Sequence, residues 1–203
     1  MTYRTLRRML GVALLLATSA TPGIAGADGD RHHGRPRLMP ASPAALIDSC
    51  DALTSRLTVL PNTKIIGVTM ETAGTLTLAG QAVPAHCRVT GRMNERVSAA
   101  DGKAYAISFE MRLPLAWNGR FWHQGNGGID GSVSTATGSY AGGPLTSALL
   151  QGFAVLSSDA GHTLAQGGPA FGLDPQARLD YGYQAVGTLT PMAKQIIGTA
   201  YGK

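Results

Sequence analysis

Three glycines within four residues, Gly125-Asn126-Gly127-Gly128, follow directly on the aromatic run Phe121-Trp122-His123-Gln124. A strand that ends in glycines leaves backbone N–H groups bare. Such groups can approach and stabilise an anionic oxygen, the task of an oxyanion hole. The plainer reading of the same residues is a glycine-rich turn after a buried strand. A second cluster, Ser157-Ser158-Asp159-Ala160-Gly161-His162, gathers hydroxyls, a carboxylate and an imidazole. Nucleophilic catalysis needs a hydrogen-bonded nucleophile and base, with a separate group orienting the base. Residues crowded at one strand end are poorly placed for that. No Gly-x-Ser-x-Gly turn occurs anywhere; Gly131-Ser132-Val133-Ser134 and Gly138-Ser139-Tyr140 do not fit it. His32 and His33 lack further residues at metal-ligand spacing and are read as part of a solvated tether.

Residues 1–27 carry the marks of a signal peptide: Arg4, Arg7 and Arg8, then the apolar run Met9 to Ala20, then Ala25-Gly26-Ala27 as a cleavage site. About twelve apolar residues are fewer than the roughly 20 needed to span a bilayer, so a cleaved leader and no membrane span afterwards are expected. Its removal takes away three arginines and no acid, so the formal charge of +5 falls to about +2. The remaining basic residues are scattered, with no aromatic-interleaved patch, which argues against nucleic acid as a partner. Residues 28–48, with His32, His33, Pro36, Pro40 and Pro43, read as a disordered linker. Two cysteines, Cys50 and Cys87, remain in the exported part. An even count in an oxidising compartment suggests a disulfide, the alternative being two free buried thiols.

The elements that must position these groups change character along residues 49–203. Ala44 to Leu53 reads as a short helix, with Ser42 or Ser49 available as caps. Ile66, Val68 and Met70 alternate with Gly67, Thr69 and Glu71, and Leu76 with Leu78 forms a short piece after the Ala73-Gly74 turn. From Val83 to Met93 a period of two puts Cys87 on the apolar face and His86 on the opposite one, as a surface residue. Tyr105, Ile107, Phe109, Met111 and Leu113 form the clearest strand face, and Asp101-Gly102 supplies the hairpin turn before it. These pieces predict an antiparallel meander. Beyond residue 119, Pro144 to Gln151 suits a short helix closed by Gly152. Phe153 to Ser158 is a continuous apolar strand of the kind buried on both faces in a parallel sheet. Arg178 to Tyr201 carries a helical apolar spacing through Leu179, Tyr183, Val186, Leu189, Ala193, Ile196, Ile197 and Ala200. Pro191 predicts a kink or break in it, with Thr190 as a new N-cap, and Gly202 stops it. Arg178 is read as one half of a salt bridge, and Trp117 and Trp122 as core or turn packing.

In this order the segments resemble the tannase/feruloyl esterase family of secreted α/β-hydrolases. The marks are Leu113-Pro-Leu-Ala-Trp-Asn-Gly-Arg-Phe121, Gly125-Asn-Gly-Gly128, Gly152-Phe-Ala-Val-Leu-Ser-Ser-Asp-Ala-Gly-His162 and Arg178-Leu-Asp-Tyr-Gly-Tyr-Gln-Ala185. The resemblance implies an α/β fold, here a partial α/β-hydrolase with antiparallel N-terminal strands leading into a parallel sheet with flanking helices. It implies serine-dependent hydrolysis of esters of phenolic acids, small phenolic esters as substrates, and a secreted or periplasmic location. It places Asn126, Gly127 and Gly128 in the loop after the third hydrolase strand, which gives one oxyanion N–H. It makes Asp159 and His162 rim residues that hold loop backbone, not a catalytic pair.

The same resemblance puts the serine, acid and histidine, in that order, beyond Lys203, together with the lid domain whose acids bind calcium in the family. No catalytic triad, metal or cofactor is therefore expected within residues 49–203, which read as the N-terminal part of a hydrolase domain, inactive alone. A small exported binding module and a nonfunctional gene remnant are the competing readings.

Overall fold

The computed structural model describes residues 40–139 and 146–203. The leader and all but the end of the expected linker lie outside the described residues. That end is ordered: Ala44–Ala45 (β1) pairs antiparallel with Ala116–Trp117, and the Leu46 N–H donates to the Leu115 carbonyl at 2.9 Å. The strand pairing displaces the helix expected over residues 44–53. Helix α1 spans Cys50–Arg56, started by Ser49, whose hydroxyl accepts the Ala52 N–H at 3.2 Å. The first buried residue of α1, Cys50, is disulfide-bonded to Cys87, 37 positions on.

The remaining strands are β2 (Thr63–Glu71), β3 (Thr77–Leu78), β4 (Gln81–Ala82), β5 (His86–Val97), β6 (Ala104–Pro114), β7 (Ala116–Trp117), β8 (Phe121–Gln124) and β9 (Ala154–Ser158). The main sheet has the order β2-β5-β6-β9-β8. Its β2, β5, β6 and β9 run antiparallel, and β8 pairs with β9 in parallel, Phe121 opposite Ala154 and Gln124 opposite Ser157. The antiparallel meander feeding a parallel pair is the arrangement read from the sequence. A bulge between Ile65 and Gly67 shifts the register of β2, with Ile65 and Val68 on the core and Ile66 between them exposed.

The alternating face of β6 is fully buried: Ile107, Phe109, Met111 and Leu113 pack, with Cys87, Val89 and Met93 of β5, against Leu53 of α1 and Leu57 just after it, while Tyr105 joins Phe171 and Ala177. The last helix closes the same core. On the opposite face a smaller cluster of Val83, Ala136, Ala148, Leu149 and Val155 is covered by loop residues, with Trp122 and Phe153 at its margin. That second layer overturns the surface reading of His86, which is 1% exposed. Its Nδ1–H donates to the Pro84 carbonyl at 2.8 Å, leaving Nε2 to accept from Arg112 at 2.7 Å. Arg112 in turn donates to Glu110 at 2.7 Å. Burial lowers the His86 pKa, and the guanidinium beside it acts in the same direction.

The C-terminal helix departs from the expected run in three ways. It begins at α2 (Pro175–Leu179), passes through a π turn over Asp180–Gln184, and continues as α3 (Ala185–Tyr201) without a break at Pro191. Pro191 and Gly187 are both exposed, so the carbonyl that proline leaves unpaired faces water. Leu179, Tyr183 and Val186 point outward; the buried stripe is Ala185, Leu189, Met192, Ala193, Ile196, Ile197 and Ala200. Gly202, in a left-handed conformation, ends α3 by donating to the Gly198 carbonyl at 2.9 Å, as expected of a C-terminal glycine. The short helix expected over residues 144–151 is a run of turns in its described part, where Gln151 and Gly152 donate back to Ser147, Ala148 and Leu149.

Candidate active site

The parallel pairing of β8 and β9 brings the glycine loop and the Asp159–His162 turn to the same end of the sheet, outside the carboxyl ends of two parallel strands, where α/β proteins place their ligands. Gln124, the last residue of β8, is buried and shapes the loop that leaves the strand. Its Oε1 accepts the N–H groups of Thr137 and Gly138 at 3.0 and 2.8 Å. Its Nε2 donates to Asn126 Oδ1 at 2.9 Å and to the Thr135 carbonyl at 3.2 Å. Sequence reasoning missed this residue; the available clue was an amide side chain ending an otherwise apolar strand. The Asn126 side chain is committed as well. It donates to the Ser132 carbonyl at 3.2 Å, Ser157 Oγ at 3.1 Å and the Ser158 carbonyl at 2.8 Å. Asn126 is a bracket holding the loop to β9, and its side-chain amide is not available to a ligand.

Among the three N–H groups singled out in the sequence, the structure separates two from one. The Asp130 carboxyl faces the N–H groups of Asn126 and Gly127, which offset part of the rise that burial imposes on its pKa. The Gly128 N–H has no hydrogen-bond acceptor among the described residues. Its direction is set through the peptide plane. The Gly127 carbonyl accepts the Asp130 N–H at 3.1 Å, and in a planar trans peptide the N–H of the next residue points the opposite way. Gly127 and Gly128 both have positive φ, 80° and 62°. A Cβ at Gly128 would meet no atom within 4 Å, so glycine is required there by conformation, and the space in front of it is open.

Asp159 and His162 do not bond to each other. Asp159 Oδ1 accepts the N–H groups of Ser108 and Gly161, both at 2.9 Å, and the Asp159 carbonyl accepts the Gly131 N–H at 3.2 Å. Burial pushes its carboxyl up to about 6 against those hydrogen bonds. The His162 ring stacks on Phe171 with centroids 3.6 Å apart and meets Tyr181 edge-on at 5.6 Å. Both ring nitrogens are buried without a hydrogen-bond partner among the described residues, and burial lowers the imidazole pKa. Ser157 Oγ belongs to the Asn126 bracket, and Ser158 Oγ accepts the Ala160 N–H at 3.3 Å. Asp159 thus ties the end of the glycine loop to β9 and β6.

The helix after the turn completes the site wall. Asp180, buried, lies against Gly161, where a Cβ would come within 2.6 Å of the Asp180 Cβ. Tyr181 donates its hydroxyl to the Gly128 carbonyl at 3.0 Å. Arg178 donates to the Gly172 carbonyl and forms no salt bridge among the described residues. The anchoring ion pair is Arg96 with Asp174, bidentate at 3.0 and 2.5 Å, and Asp174 also caps α2 by accepting the Ala177 N–H at 2.6 Å. Arg96 holds the Asp174 carboxyl down to about 2. Asp174→Asn should lower Tm by roughly 5 °C near neutral pH, where a charge-assisted pair and a cap are lost. A carboxyl with a depressed folded pKa stabilises fully above its unfolded value near 3.9, and the effect is lost as pH falls through about 2. The difference in Tm between wild type and variant should therefore shrink below about pH 4; a constant difference from pH 7 to pH 2 would refute the ion-pair account.

Trp122 packs at the edge of the smaller core, and Trp117 stacks on Tyr201 at 4.7 Å, so both are packing residues as read from the sequence. Among the described residues no group of three or more His, Cys, Asp and Glu side chains is gathered to hold a metal ion. No described helix is long and apolar enough to cross a membrane.

Comparison with known proteins agrees with this architecture. Residues 87–203 match the family described as tannase and feruloyl esterase. The chain is 43% identical over 138 residues to mono(2-hydroxyethyl) terephthalate hydrolase of Piscinibacter sakaiensis, a match covering 64% of this chain and 23% of that protein. It is 31% identical over 98 residues to a probable feruloyl esterase B-2 of Aspergillus flavus, covering 48% and 17% of the two chains. The crystal structure of feruloyl esterase B from Aspergillus oryzae superposes with a TM-score of 0.58 at 26% identity, over 75% of this chain and 29% of that one. The chain spans about a quarter of the length of the first curated relatives it matches. The mixed sheet is that of the α/β-hydrolase-type esterases. With more than half of its residues matched, the chain belongs to the tannase and feruloyl esterase family.

Proposed function

We propose that residues 49–203 form the oxyanion-binding part of an exported carboxylic ester hydrolase that acts on phenolic acid esters through a serine acyl-enzyme. The observation that carries the reading is the Gly128 N–H, fixed in direction and without an intramolecular acceptor among the described residues. When a nucleophile attacks an ester carbonyl, the oxygen becomes an oxyanion, and a donor already aimed at it stabilises the tetrahedral state without reorganisation. In this reading the serine, acid and histidine come from outside residues 1–203.

Topology supports where the nucleophile enters. Both sides of β9 are occupied, by β6 and β8. A right-handed crossover through α3 therefore takes a following parallel strand to the outer edge of β8, with its carboxyl end beside the glycine loop. A serine on the turn after such a strand would face the Gly128 N–H. Residues 1–27 act as the export signal in this reading, the mature chain beginning at Asp28. Phenolic acids as the acyl group rest on the feruloyl esterase relatives and on the open space before Gly128.

The test is hydrolysis of methyl ferulate and methyl gallate. Residues 28–203 alone should give no turnover above background. The same residues joined to the remaining sequence of the Piscinibacter sakaiensis relative should turn over, with sensitivity to serine-directed inhibitors. A folded, soluble fusion without activity on either ester would sink the proposal. Inhibitor-sensitive turnover by residues 28–203 alone would show that the nucleophile lies within the chain.

A further inference from the structure

We propose that Tyr181 is a positioning residue for the glycine loop, its hydroxyl holding the Gly128–Ile129 peptide so that the loop is shaped for an anion before one arrives. The inference rests on the oxyanion reading above. Two consecutive peptide planes flank Gly128, and each is held through its carbonyl. The Gly127 carbonyl is held from within the loop by the Asp130 N–H. The Gly128 carbonyl is held from outside, by the Tyr181 hydroxyl at 3.0 Å, across 53 positions of sequence. With positive φ at Gly127 and Gly128, and nothing within 4 Å of a Cβ at Gly125 or Gly128, the glycines of the loop have no packing of their own, and the Asn126 bracket lies on the other side of Gly127 from the Gly128 carbonyl. The tyrosine supplies what packing does not.

Its own position is over-determined. The ring meets Phe171 at 5.4 Å and His162 at 5.6 Å, both edge-on, while those two rings stack at 3.6 Å. The backbone that carries it is the π turn Asp180–Gln184, an uncommon geometry that recurs at functional sites. On one side of the tyrosine, Asp180 is wedged against Gly161 and accepts from Gln176 at 2.8 Å. The turn therefore places one residue against the Asp159–His162 segment and the next against the glycine loop. Tyr183, two positions on, is 62% exposed, and its hydroxyl accepts from Gln184 without touching the loop.

The experiment is a titration of the whole chain with benzoate, an aryl carboxylate that mimics an acyl product, followed at the backbone amides by ¹⁵N–¹H NMR. Wild type should show a saturable shift centred on Gly128. Tyr181→Phe keeps the ring contacts and removes the hydrogen bond; it should raise the benzoate Kd about fivefold, the weight of one ordinary hydrogen bond. Tyr183→Phe should leave the Kd unchanged. Equal affinity in Tyr181→Phe and wild type, or an equal loss in both variants, would overturn the positioning role while leaving the oxyanion reading intact. Absence of any benzoate response at Gly128 in wild type would instead overturn the oxyanion reading and the inference that rests on it.

Discussion

Asn126→Ala is expected to cost roughly 3–5 kcal/mol of folding free energy, the largest loss from any single substitution at the glycine loop. Asn126 is 7% exposed, and its side chain donates to three acceptors on two stretches of chain: the Ser132 carbonyl, and Ser157 Oγ and the Ser158 carbonyl at the end of β9. It also accepts from Gln124. Truncation leaves at least two of these partners buried without a bond, and each unsatisfied group costs about 1–3 kcal/mol. Water can offset part of that only by entering the space the amide leaves. Asn126→Asp should be no rescue, since it sets a carboxylate opposite two carbonyl oxygens. Urea denaturation measures the effect; a loss below about 1 kcal/mol in Asn126→Ala would show that the loop is held by something other than this amide.

The second large effect concerns the disulfide. Replacing both Cys50 and Cys87 by alanine should cost about 3–4 kcal/mol, the chain-entropy value for a closed loop of 37 residues. The bridge joins α1, which with the following Leu57 adds little besides Leu53 to the core, to β5 of the main sheet. Without it α1 has a short apolar contact and one cap to hold it. Both half-cystines are buried, 3% and 0% exposed, so alanine leaves a void as well. Wild type should melt lower in reductant, and the double variant should melt at the same temperature with and without it. A reductant effect of equal size in the double variant would locate the sensitivity elsewhere.

How far the sequence reaches differs between the sheet and the site. The face Tyr105 to Leu113 was legible because a strand buried on one side must alternate, and the Phe153–Ser158 run because a strand buried on both sides cannot. The glycine loop was legible as a place where backbone is bare. What holds the loop was not: Gln124 and Asn126 act on partners up to 32 positions away, and no local spacing encodes such bonds. His86 failed for a related reason. Periodicity assigns a side chain to a face, but the cover over that face comes from loops without a period, around Ala136 and Leu149. In the last helix Leu179, Tyr183 and Val186 keep the right spacing to one another yet lie outside the buried stripe. The π turn puts Leu179 before it and Tyr183 within it out of phase with α3, and Val186, inside α3, lies beside the buried stripe that runs through Ala185 and Leu189.

That turn has a consequence for how such a site can vary. A π turn contains one residue more than an α-helix would need, so the link between α3 and the glycine loop is written as a length and not as an identity. Deleting one residue within 180–184 would return the turn to regular α-helix, leaving the core residues from Ala185 onward and the residues before the turn in place, and would remove the bulge that carries Tyr181. The same core would then be closed by the same helix with no hydroxyl under Gly128. Substitution can weaken the support that Tyr181 gives the loop, but only insertion or deletion can relocate it. The informative quantity in a related chain is therefore the number of residues between the histidine turn and the first buried position of this helix.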